Sequence, residues 1–158
     1  MSVVHILNNN GILRCFFWVD IQVWAGNEPH GIFQARYAAL SSGFGGGMGR
    51  MREVCGSVSG MVMLAGLMAP ADNPSEKEWR TRNYALVQEV AGEFRIINGS
   101  IVCKELLGLV PMGSSATTAM ESPEPSDRTP EYYKKRPCEE LVGISARIIG
   151  EKMLKMNK

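Results

Sequence analysis

A chain of 158 residues, 45% apolar and 21% charged, has the balance of a folded domain built round one core. Its 17 basic and 16 acidic side chains leave a formal charge of +1, which gives no electrostatic case for nucleic acid or an anionic membrane surface. Four cysteines without a CxxC or any close pair argue against a zinc ribbon and against a disulfide-dense secreted scaffold.

At the N-terminus no basic stretch leads into the apolar run at 12–19, which Arg14 interrupts and Asp20 follows. No secretory signal is expected, and the cytoplasm is the expected compartment. Asn8-Asn9-Asn10-Gly11 reads as a turn, but residues 15–33 mix Phe16-Phe17-Trp18, Trp24 and Asn27-Glu28-Pro29-His30-Gly31 without a helical or alternating period. Residues 1–35 are therefore set apart as an atypical segment, and 36–158 as a helical domain. His5 and His30 have no partner at ligand spacing and read as incidental.

Residues 36–40 read as the end of a helix stopped by Ser41, Ser42 and Gly43, with Phe44 as an apolar anchor. Gly45, Gly46, Gly47 and Gly49 then turn the chain, since so many glycines in one window imply left-handed backbone angles or an approach too close for a Cβ. The next helix is expected to start at Arg50 or Met51 and to carry Val54, Val58, Met61, Val62, Leu64, Ala65 and Met68, apolar nearly all round, until Pro70 ends it. The run at 54–69, about 16 residues, is shorter than a bilayer crossing needs. No membrane insertion is expected.

A third helix is expected after Ser75 as N-cap, with Glu76 and Glu78 in its first turn, a face of Tyr84, Val87, Ala91 and Phe94, and Asn98-Gly99 as its stop. Ser100 caps a short helix over 101–107 that Gly108 closes, with Cys103 in its first turn. Residues 110–128 lack apolar periodicity and read as a long loop. Thr129-Pro130 restarts helix, and Arg136-Pro137-Cys138 opens the last one, with Leu141, Ile144, Ile148, Ile149 and Leu154 on its buried face. The fold class is all-α: a single-domain helical bundle with a glycine-rich inter-helix loop and a long loop before the C-terminal helices.

A thiol at a helix start meets unpaired N–H groups and the positive end of the helix dipole, so Cys138 is the expected thiolate on local grounds. Arg50 and Arg52 near Cys55, and Lys104 beside Cys103, point the same way. Glu53 with Arg50 or Arg52 reads as an i,i+3 surface ion pair. The methionines Met48, Met51, Met61, Met63 and Met68 read as adaptable core, and Gly56 and Gly60 as small residues where helices cross. The glycine loop is no phosphate cradle, because helix precedes it and no GKS or GKT follows.

Four ordered blocks carry a family resemblance: Phe44-Gly45-Gly46-Gly47-Met48-Gly49-Arg50, Glu53-Val54-Cys55-Gly56, Gly99-Ser100-Ile101-Val102-Cys103-Lys104-Glu105-Leu106-Leu107-Gly108, and Tyr132-Tyr133-Lys134-Lys135-Arg136-Pro137-Cys138. Together they resemble a bacterial and archaeal family of redox-active proteins named for four cysteines, one within a CGAxxG-type motif. Ser57 stands where that motif usually has Ala, and its hydroxyl is placed to bond a helical carbonyl or a nearby sulfur. The resemblance implies an all-helical fold, four gathered cysteines and a redox or iron–sulfur role. It implies no haem, since no CxxCH is present. Asn9-Asn10-Gly11 and Cys15 sit at the distance expected for the family's first cysteine, but residues 13–34 depart from it as an altered or out-of-frame stretch would.

Three readings of function follow. In the first, a thiol–disulfide redox protein, Cys138 attacks and Cys55 or Cys103 resolves, with an unidentified redox protein as partner. In the second, Cys15, Cys55, Cys103 and Cys138 hold an iron–sulfur cluster or another thiophilic metal, with Gly45, Gly46, Gly47 and Gly56 giving the cofactor room. In the third, the protein is a non-enzymatic helical partner with structural cysteines. A homo-oligomer is compatible with each.

Overall fold

The structure, a computed structural model, describes residues 39–115, 121–127 and 129–156. Cys15, His5, His30 and the departing stretch at 13–34 lie outside the described residues.

The described residues form an all-α arrangement with one isolated backbone bridge. After a 3-10 turn at Ser42–Phe44 come α1 (Gly45–Met48), α2 (Gly56–Met68), α3 (Lys77–Asn98), α4 (Cys103–Leu106), α5 (Pro130–Lys134) and α6 (Cys138–Met156). Three long helices, α2, α3 and α6, pack against one another. Their shared core is Val58, Met61 and Leu64 from α2, Val90 and Phe94 from α3, and Leu141, Ile148 and Ile149 from α6. Each such side chain contributes about 1.5–3 kcal/mol by leaving water.

The central position of α2 follows from its nearly all-round apolar surface, and it ends at Met68 with Pro70 two residues on. Gly99, at φ 82°, ends α3 with its N–H donated to the Arg95 carbonyl. Thr129 accepts from the Tyr132 N–H at 3.2 Å, and Pro130 takes the first helical position of α5. No helix among the described residues is long and apolar enough to cross a membrane.

Several local expectations are corrected. Helix α2 starts at Gly56, not at Arg50 or Met51, because the backbone of residues 52–55 is hydrogen-bonded to that of 101–104. Helix α3 begins at Lys77 with Glu76, not Ser75, at its cap. Its buried line is Val90 and Phe94 with Leu86 and Ala91 beside them, while Tyr84 is exposed. Helix α4 starts at Cys103, and Ser100 accepts from the Val102 N–H at 2.9 Å ahead of it. Leu154 lies beyond the core and is exposed, as are Met48 and Met51; Met61 is fully buried.

Candidate functional site: thiols at three helix starts

The extended segment after the glycine loop builds the site. Val54 and Val102 form an antiparallel bridge, Cys55 N–H donates to the Ile101 carbonyl at 2.9 Å, and Cys103 N–H donates to the Glu53 carbonyl at 2.6 Å. Cys55 and Cys103 each follow a bridged valine, so strand alternation directs both side chains away from the valine face. Each then sits where a helix begins, Cys55 as N-cap of α2 and Cys103 as first residue of α4. Cys138 is the first residue of α6. Three of the four cysteines are thus brought to helix starts, and none of the three is in a disulfide.

The glycines make this approach possible, with a partner the spacing does not reveal. A Cβ on Gly47, at φ 72°, would lie 2.6 Å from the Cys103 Cβ and 3.0 Å from the Glu53 nitrogen, so the loop closes on Cys103. A Cβ on Gly56 would lie 2.9 Å from the Phe44 carbonyl oxygen, so the close neighbour of Gly56 is the loop backbone, not a crossing helix. The loop amides of Gly49, Arg50, Arg52 and Glu53 donate to the carbonyls of Gly43, Gly45, Gly46 and Gly47. They are used within the loop and do not cradle an anion. Met48, Arg50 and Arg52 hold positive φ without being glycine, so the turn is locally strained.

The thiols sense one another. Burial is the main cause that pushes Cys103 up to about 11, and the charge of Cys55 adds to it, with a smaller addition from Cys138. Burial likewise raises Cys138, again with Cys55 next, against the opposing charges of Arg136 and Arg52. This corrects the local expectation: desolvation and like-charge neighbours outweigh the helix start at Cys138, and Lys104 does not offset burial at Cys103. Cys55 is the neighbour that both other thiols feel most. Cys55 and Cys138 are half-buried and Cys103 is buried. The Ser57 hydroxyl lies 3.1 Å from the Cys55 sulfur, as its place in the motif suggests.

Arg52 is the charged member of the site. It is 4% exposed, and its Nε and a terminal nitrogen reach the two carboxylate oxygens of Glu121 at 2.7 and 2.5 Å. Its guanidinium also favours the Cys103 thiolate, which lowers that thiol against the burial. Arg50 shares Glu121 at 2.9 Å. The arginines therefore pair with Glu121 across the fold; Glu53 is exposed and takes no part in an ion pair among the described residues. Glu121 is hidden in a stretch that reads as a plain linker, and a pairing 69 residues apart has no local signature. The sequence points instead to Glu53, the carboxylate in helical register with Arg50.

The family described as "Putative redox-active protein (C_GCAxxG_C_C)" matches residues 20–152. The chain belongs to this family. Cys55, Cys103 and Cys138 fall within the match, and Cys15 falls before it. The match also reaches upstream of Arg36 into the stretch at 20–34 that departs from the family to the eye. No curated protein and no solved structure matches the chain.

Among the described residues the donor set is Cys55, Cys103 and Cys138, Cys15 lying outside them, and no three His, Cys, Asp or Glu side chains there converge as a metal ion requires. The thiols are near enough to influence one another's charge.

Proposed function

We propose that this redox-family protein carries out thiol–disulfide exchange, with Cys138 attacking and Cys55 resolving. The observation that carries the reading is that Cys55 and Cys138 are free, half-buried thiols at the starts of separate helices, open to a substrate, whereas Cys103 is buried. The Cys138 thiolate attacks one sulfur of a disulfide R–S–S–R, forms Cys138–S–S–R and expels RS⁻, which takes up a proton. The Cys55 thiolate then attacks the Cys138 sulfur and expels the second RS⁻, which is also protonated. A protein disulfide forms, and two electrons and two protons pass to the substrate. Cys103, buried and held by Arg52, sets the local field and is not needed as an exchanging thiol.

The test is mass spectrometry after anaerobic reaction with hydroxyethyl disulfide. Cys55→Ser accumulates the adduct on Cys138, the parent protein closes a Cys55–Cys138 disulfide, and Cys138→Ser forms neither. An intensely coloured, metal-loaded protein whose thiols resist titration after anaerobic purification overturns the reading in favour of a cluster. Full retention of redox behaviour when all three cysteines are serine overturns it in favour of a structural role.

A further inference from the structure

The thiol cluster adjoins a cleft of about 450 Å³ that the exchange chemistry above does not use, within the size range of small-molecule sites. Arg52 forms its inner wall, Leu107 and Leu109 from the turn after α4 form an apolar wall, and Glu131, Lys135 and Arg136 come from α5 and the segment that follows it. No cysteine lines it. It reaches the site by two routes: Arg52 contacts both the cleft and Cys103, and Arg136 stands two residues before Cys138 and acts on that thiol by its charge.

The charges in the cleft are unequal. Glu121 is already shared by Arg50 and Arg52, and neither Lys135 nor Arg136 is in an ion pair among the described residues. Arg136 is nevertheless held in place, its guanidinium carbon 4.4 Å from the centre of the Tyr132 ring. A planar guanidinium stacked in this way presents its remaining N–H groups as a fork matched to a carboxylate. On the same segment as these cations, Glu131 is exposed, with no ion pair among the described residues, and so offers an acceptor for an ammonium group. The Arg50 Nε is buried without a hydrogen-bond partner, so the one carboxylate of Glu121 leaves this arginine pair under-satisfied.

We infer that the cleft is the binding site for a low-molecular-weight disulfide of the amino-acid or small-peptide class, whose carboxylates rest on Lys135 and Arg136 and whose aliphatic stem lies on Leu107 and Leu109. The choice of a disulfide rests on the function proposed above; the choice of a zwitterionic, net-acidic ligand rests on the cleft alone. A near-neutral protein with this local positive surplus suits a small anion, not a polyanion.

Two measurements separate the cleft from the chemistry. In the first, the reduced protein is mixed with oxidised glutathione, cystamine and hydroxyethyl disulfide, which are acidic, cationic and neutral. Oxidised glutathione is expected to react at least about tenfold faster than cystamine, with the advantage falling as salt is added. In Lys135→Gln/Arg136→Gln, the ratio of the oxidised glutathione rate to the hydroxyethyl disulfide rate is expected to drop by about tenfold. Lys135→Glu, a reversal at an exposed position, should move the same ratio in the same direction if the double variant folds poorly. In the second, calorimetric titration with S-methylglutathione, which cannot exchange, should show binding that the variants weaken. Equal rates for the three disulfides, or no binding of S-methylglutathione, overturns the cleft while leaving the exchange reading intact. Variant-sensitive binding without reaction of any disulfide upholds the cleft and overturns the exchange reading.

Discussion

In the bundle, Val58, Met61, Val90, Phe94, Ile148 and Ile149 meet through apolar contact, and a neighbour of similar size can replace most of them at modest cost. At the other end, where α2, α4 and α6 begin, single atoms decide: the missing Cβ of Gly47, the missing Cβ of Gly56, and the two carboxylate oxygens of Glu121. The bundle supplies stability by area, and the thiol end gives some of it up to strained backbone, a buried arginine and desolvated sulfurs. Substitutions of equal chemical size should therefore have unequal effects at the two ends.

Gly47→Ala should show the largest difference. The new methyl meets the Cys103 Cβ and the Glu53 nitrogen at a φ that disfavours any L side chain, so a loss of about 2–5 kcal/mol is expected. Denaturant unfolding measures it. A loss below about 0.5 kcal/mol, within the range of ordinary surface substitutions, would mean that the loop does not close on Cys103.

Next in size is the arginine clasp. Arg52→Gln removes a side chain only 5% exposed from its carboxylate partner, and breaking a buried pair costs about 3–5 kcal/mol. Because Glu121 is 30% exposed and can turn to water, about 2–3 kcal/mol is the better expectation. Unfolding of Arg52→Gln, Glu121→Gln and the double variant forms a cycle that isolates the coupling. Additive effects would show that the short contacts carry no net stability. The low Glu121 pKa, caused first by its hydrogen bond from Arg52, also predicts that this contribution is present above the ordinary carboxylate range and is lost as pH falls through it.

How much of this can be read from the chain differs by region for a physical reason. Helix stops and starts are local, so Gly99 at the end of α3, Pro130 at the start of α5 and Cys138 at the start of α6 are visible in sequence. The Ser57 contact with Cys55 is visible too, because two residues on one helix turn fix their own distance. What depends on pairing across the fold is not. Nothing in the 50–55 stretch announces that its backbone bonds 101–104, so sequence pattern starts α2 too early and does not reveal that the glycine loop closes on Cys103. Helical period likewise allows several neighbouring stripes on α3, and only the packing partners choose Val90 over Tyr84. The pKa of Cys138 runs against its sequence position because helix position is local and burial is not.

The buried thiol gives an effect of about the same size as the clasp, or somewhat smaller, in the alkaline range. Cys103 is raised from 9.0 to about 11, so the unfolded chain loses its proton first as pH climbs. Between these values the unfolded state binds fewer protons than the native state, and stability falls with pH. The loss is roughly 2–3 kcal/mol by pH 11, since each tenfold difference in proton affinity between the two states is worth about 1.4 kcal/mol. Cys103→Ser should flatten this part of the stability profile relative to the parent. An unchanged slope in that variant would place the alkaline loss elsewhere.

The smallest effect belongs to the bundle and has the opposite sign. Gly92 lies inside α3, and nothing comes within 4 Å of the position its Cβ would take. Alanine there restricts the unfolded chain more than it disturbs the native one, so Gly92→Ala should stabilise by about 0.4–1 kcal/mol. Thermal unfolding beside Gly47→Ala then sets the same added methyl group at both ends of the molecule. A gain at Gly92 with a loss at Gly47 is the outcome expected when helix interiors have room and the thiol end has none; a loss at both would mean that α3 is packed on its Gly92 face by something beyond the described residues.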